Sequence, residues 1–140
     1  MKIRNEDIQH VAQEPIGLFY QGIRAAATKE KYTRTLKSIL CDTFEDVLEG
    51  TFEQRASQMV YKAKKDPEWI TSLLLTLSKR IRERTELPRT DDTYLSPNSI
   101  GRFFKPLRKL LDMNDVQVFL FKIDRRFSIL IFSYSMKLIH

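Results

Sequence analysis

One cysteine, Cys41, and two histidines, His10 and His140, are all that 140 residues contain of the side chains that most often bind metals or relay protons. A lone Cys closes no internal disulfide and completes no Cys-rich zinc site, which excludes disulfide scaffolds and zinc fingers and fits a reducing, cytoplasmic setting. Histidines at opposite ends of the chain leave little material for a Ser-His-Asp triad or a His-rich metal site, so ordinary hydrolase chemistry is not expected. Four Gly and five Pro are too few for a collagenous or low-complexity chain. The longest apolar stretch, residues 127–139, falls short of the roughly 20 residues that span a bilayer, so no membrane partner is expected. The opening MKIRNEDIQH carries acids and amides where a signal peptide needs an apolar run, so secretion is not expected.

What remains, 42% hydrophobic and 30% charged residues, is the composition of a folded chain, and the length is that of one ordinary domain. No repeat or Gly/Ser linker divides it. Residues 5–27, with Ile8, Val11, Ile16, Leu18, Phe19 and Ile23 around Pro15, read as one or two short helices or a helix with an extended lead-in. Thr28 is placed to cap a helix whose Tyr32, Leu36, Ile39, Leu40 and Val47 recur at helical spacing, with Gly50 as its end. Thr51 and Gln54 have capping-box spacing ahead of Phe52, Ala56, Met59, Val60 and Ala63. Asp66-Pro67 stops that helix and starts another, with Trp69, Ile70, Leu73, Leu74, Leu77 and Ile81 as its stripe, ending before Leu87-Pro88.

After the turn-rich residues 88–95, Ser96-Pro97 has the same cap-then-proline form. The helix that follows sets Ile100, Phe103, Phe104, Leu107 and Leu111 on one side and Arg102, Lys105, Arg108 and Lys109 on the other. Pro106 predicts a kink or break near residues 102–105, and Asp112-Met113-Asn114 ends the segment. The expected fold is therefore all-α, a bundle of four to five helices. Residues 116–140 change character, with VQVFLFKI and FSILIFSYSMKLI readable as strands or as a terminal helix. This apolar tail favours self-association.

The formal charge is +6, and it is uneven. Residues 1–78 hold 11 basic and 11 acidic side chains, whereas residues 79–126 hold 12 and 7. The excess points to a polyanion, and the residues best placed to meet one are Arg102, Lys105, Arg108 and Lys109, followed by Lys79 and Arg82 in a second basic run with Arg80 and Arg84. A solvated helix face is the competing reading of both groups. Tyr32, Trp69, Phe103 and Phe104 sit beside Leu and Ile at helical spacing and read as core rather than as stacking platforms. The like-charge pairs Asp42/Asp46 and Glu45/Glu49 read as a solvated acidic helix end rather than a metal site.

The segment TKEKYTRTLKSIL, residues 28–40, resembles the T-x-x-x-Y-x-x-x-L-x-x-x-L/F opening helix of the core-binding domain of tyrosine recombinases and phage-type integrases. SPNSIGRFFKPLRKLLDMN, residues 96–114, is similar to a later helix of the same domain, and the following VQVFLFKIDRRF looks most like archaeal members. The resemblance implies an all-helical domain closing on one side of double-stranded DNA, residues 28–115, after a lead-in of residues 1–27 and before a linker remnant and divergent tail, residues 116–140. It further implies DNA recombination or integration as the setting. The family's catalytic set of Arg, Lys, His-x-x-Arg, a further His or Trp and a Tyr nucleophile has no counterpart here. The expectation is a chain truncated before the catalytic domain, with no catalytic residue, cofactor or metal, and with Tyr134 as an apolar tail residue. Two other readings stand beside it: a helix-turn-helix regulator using residues 96–111 as recognition helix, and a helical protein-interaction module.

Overall fold

The computed structural model describes residues 1–7 and 14–118. The expectations attached to Ile8, His10 and Val11, and to the tail from residue 119 onward with Tyr134 and His140, lie outside the described residues. Among the described residues there are five α-helices and no strand, the all-α architecture that the sequence predicts. They are α1 (Pro15–Gln21), α2 (Ala26–Ser38), α3 (Phe52–Lys65), α4 (Pro67–Thr85) and α5 (Ser99–Met113). Helix α5 packs on α1, α2 and α4, while α3 packs on α1 and α4. One core results, into which every helix sends side chains, among them Phe19, Leu36, Met59, Ile70 and Leu107.

Helix α1, which falls within the lead-in of the sequence reading, has only seven residues and would not persist alone. Pro15 at its first turn suits the helical start, and burial of Ile16 and Phe19 holds it to the bundle. At the other end of the fold, Asn114 Nδ2 donates to Pro15 O at 3.2 Å and to Leu110 O at 2.8 Å, tying the end of α5 to the start of α1.

The α2 region departs from its expected form. The helix begins at Ala26 after Ala25, with no side-chain cap, and Thr28 lies inside its first turn. It does not run to Gly50. After Ser38 the backbone widens into a π-helical turn, Ile39–Thr43, closed by Phe44 N donating to Ile39 O at 2.8 Å. One inserted residue shifts the helical phase by about 100°. Phe44 and Leu48 therefore enter the core, while Val47, expected on the apolar stripe, is exposed.

The connection is pinned by α3. Arg55 donates from Nε to Gly50 O at 2.9 Å and from Nη1 to Leu40 O at 3.1 Å, satisfying carbonyls that the end of a helix leaves open. Gln58 pairs with both backbone groups of Glu49, accepting from its N–H at 3.0 Å and donating to its carbonyl at 2.7 Å. Gly50 has φ +97°, a conformation natural to glycine, and a Cβ there would collide with the Gln54 carboxamide.

Two junctions are as predicted. The Thr51–Gln54 capping box is complete, with Gln54 N donating to Thr51 Oγ1 and Thr51 N to Gln54 Oε1. Asp66 accepts from Trp69 N at 3.2 Å, and Pro67 opens α4. All five apolar residues read along α3 are buried.

Helix α5 differs from expectation at two points. Ser96 caps a turn, accepting from Asn98 N at 3.3 Å, and the helix itself starts at Ser99. Of the kink or break expected at Pro106, a break does not occur: α5 runs unbroken through Pro106, which is itself buried. An interior proline costs about 3 kcal/mol. Phe104 and Leu107 beside it and Leu110 and Leu111 beyond it are all buried, and at about 1.5–3 kcal/mol per buried side chain they offset that cost and keep both sides of Pro106 helical. The helix ends in a Schellman motif, with Asp115 at φ 60°, Val116 N donating to Leu111 O at 2.8 Å and Asp115 N to Asp112 O at 3.1 Å.

Candidate nucleic-acid interface

Helix α5 is the most sharply two-sided element of the bundle. At 100° per residue, Ile100, Phe104, Leu107, Leu110 and Leu111 share the buried side, and Phe103 is half-buried at its edge. Arg102, Lys105, Arg108, Lys109 and Asp112 share the opposite side, where four basic residues meet one acid. The face therefore holds a positive excess in a strip about 10 Å long, given 1.5 Å of rise per residue.

The four cations differ in how they are held. Arg102 is exposed and donates from Nη2 to the buried Ser99 Oγ at 2.8 Å, which fixes its guanidinium over the first turn of α5. Lys105, one turn on, is exposed. Arg108 is half-buried and pairs with Asp112 at 3.2 Å. Lys109 lays its stem against α1, where Gly22 leaves room for it: a Cβ at residue 22 would lie 2.9 Å from Lys109 Cδ and 2.7 Å from Met113 Sδ. Part of its aliphatic stem is thus spent on packing, and the residue is half-buried. Two residues, Arg102 and Lys105, present charge outward, and two flank them with part of their surface already used.

The second basic group lies on the last turns of α4. Lys79 and Arg82 are exposed there. Arg82 pairs with Glu86 at 3.3 Å and Arg80 with Glu83 at 3.7 Å, so acids interleave with the cations. Residues 86–98 separate this group from α5 along the chain, folding back through Leu95 N donating to Arg84 O at 3.2 Å.

The aromatic residues read as core keep that role. Phe104 is buried, and Tyr32, Trp69 and Phe103 are packed against the core. Trp69 carries the Lys62 ammonium 5.5 Å from its ring centre. Among the described residues, no three His, Cys, Asp or Glu side chains converge on a metal-sized site, Asp42, Glu45, Asp46 and Glu49 included. No helix among them is long and apolar enough to cross a membrane.

One charged element escaped the sequence reading. Helix α2 carries Lys29, Lys31, Arg34 and Lys37 against Glu30, the same four-to-one balance as α5. Summing charge over residues 1–78 hid it, because five acids and no base fall in residues 42–53 just beyond. A shorter window would have found it. No protein-family model matches the chain, and no similar curated protein or solved structure is found.

Proposed function

We propose that this chain binds duplex DNA through the solvent face of α5, as a core-binding domain of the kind that tyrosine recombinases and phage-type integrases carry, without catalysing strand exchange by itself. The observation that supports it is the division of α5, whose apolar side is spent on the core and whose other side offers Arg102 and Lys105, flanked by Arg108 and Lys109. Arg and Lys on an exposed helix face are suited to phosphate oxygens, and an Arg fork also matches a guanine edge. Lys79 and Arg82 add a weaker second group, since Glu83 and Glu86 interleave with their run.

The connection before α5 bears on the helix-turn-helix alternative. That motif joins its two helices by roughly three to four residues, and residues 86–98 form a much longer connection. Its use of residues 96–111 as a recognition helix is correspondingly disfavoured.

Titration of a labelled duplex at increasing salt tests the reading. Four phosphate contacts from α5 give a log-log slope of about −4, since each neutralised phosphate contributes roughly −0.9. Affinity that stays flat from low to physiological salt contradicts it and favours a protein-interaction role instead.

A further inference from the structure

The charge balance of α2 extends the interface beyond α5. Helices α2 and α5 pack against each other on the shared core, and each carries exposed basic residues. On α2 the buried Leu36 faces inward, and Lys31, Arg34 and Lys37 follow one another at three-residue intervals along the exposed side. They span about 9 Å along the helix axis. The one acid on this helix, Glu30, meets Arg34 at 3.6 Å with both side chains about three-quarters exposed. A pair so exposed is weak and is readily exchanged for a phosphate partner.

Beside Arg34 lies an open furrow of about 390 Å³, lined also by Tyr20, Lys29, Glu30 and Thr33. The Lys29 ammonium lies 4.5 Å from the centre of the Tyr20 ring, which keeps a cation beside the furrow that both residues line. A sugar-phosphate unit matches this combination of an aromatic wall, a fixed cation and the Arg34 fork. The acids that cancel α2 in a whole-segment sum, Asp42, Glu45, Asp46, Glu49 and Glu53, are on the connection after the helix and at the start of α3, all exposed.

We propose that the solvent face of α2, through Lys31, Arg34 and Lys37, is a second phosphate-binding strip that engages the same duplex as α5. The assignment rests on the DNA reading of α5 and adds to it the backbone phosphates that α2 meets.

The test uses the full chain and a fluorescent duplex of mixed sequence, with anisotropy read at several salt concentrations. The Lys31→Gln, Arg34→Gln, Lys37→Gln variant is compared with Arg102→Gln, Lys105→Gln and with the unaltered protein. The α2 variant is expected to bind at least about tenfold more weakly and to lose about 2–3 from the magnitude of the salt slope, one contact per residue. Should the triple variant melt early, Lys31→Gln and Lys37→Gln alone each lower the slope by about 1. An α2 variant with unaltered affinity and slope, beside a weakened α5 variant, overturns the second strip and leaves the α5 reading standing. Absence of binding by the unaltered protein overturns both.

Discussion

The solvent face of α5 and the connection from α2 to α3 are both polar and exposed, but they are opposite in charge and in construction. On α5 the backbone is regular, its hydrogen bonds are internal, and the side turned from the core carries four basic residues against one acid, of which Arg102 and Lys105 are exposed. Residues 42–53 carry five acids and no base, on a backbone that Arg55 and Gln58 hold in place from α3. In the connection a cation, Arg55, is consumed in building the fold, whereas Arg102 and Lys105 on α5 and Lys31, Arg34 and Lys37 on α2 remain exposed. Net charge over a long window cannot distinguish these uses. The side chain's partner does.

The comparison breaks most visibly if α5 is not the two-sided helix described. Leu107→Ala empties a fully packed site and should cost on the order of 2–5 kcal/mol in a denaturant melt, with DNA binding lost only as the protein unfolds. A loss under about 1 kcal/mol would mean that this side of α5 is not core.

Arg55→Ala sharpens the other half. It removes bonds to Leu40 O and Gly50 O and should cost about 1–3 kcal/mol in the same melt. Arg55→Lys should restore little, because an ammonium lacks the fork that reaches both carbonyls. The salt slope for DNA should stay as in the unaltered protein.

A smaller effect is expected from Glu45→Gln with Glu49→Gln. Both are exposed, so stability should move by no more than about 0.5 kcal/mol. DNA affinity should rise slightly at low salt and by nothing measurable at physiological salt, where charges farther apart than about 8 Å are screened. A fall in affinity would place this acidic side in the contact.

The smallest effect concerns residues 88–95. Asp91 accepts from Thr93 Oγ1 at 2.7 Å and Thr93 N at 2.8 Å, and these bonds, the hydroxyl first, hold its carboxyl below the usual carboxylate range. A depressed folded pKa stabilises the turn above the unfolded value near 4, and that support is lost as pH falls through the folded value. Protection of the Thr93 amide, relative to its exchange rate in an unstructured peptide at the same pH, should therefore fall at acid pH, and Asp91→Asn should remove that pH-dependent step.

Much of this was readable in advance because it depends on neighbours in sequence. The capping box at Thr51, the Asp66-Pro67 junction and the apolar stripes of α3 and α4 all follow from residues within one or two turns. The π turn was not, since no local pattern signals that Arg55, on the next helix, supplies partners for the carbonyls it leaves open. The same holds for Pro106, where burial on both sides outweighs a local rule. At the candidate interface, the sequence placed Arg102 and Lys105 on the outer side of α5. It did not indicate that Lys109 would pack on Gly22 or that Arg108 would pair with Asp112.

Arg102 and Lys105 are expected to bind DNA while contributing nothing to the fold. A paired measurement on Arg102→Ala, Lys105→Ala decides this: a thermal melt, and a duplex titration across a range of salt. The predicted result is a melt within about 0.5 kcal/mol of the unaltered protein, together with weaker binding and a salt slope reduced in magnitude by about 2. A folded double variant with unaltered affinity and slope would remove α5 from the interface and contradict the account.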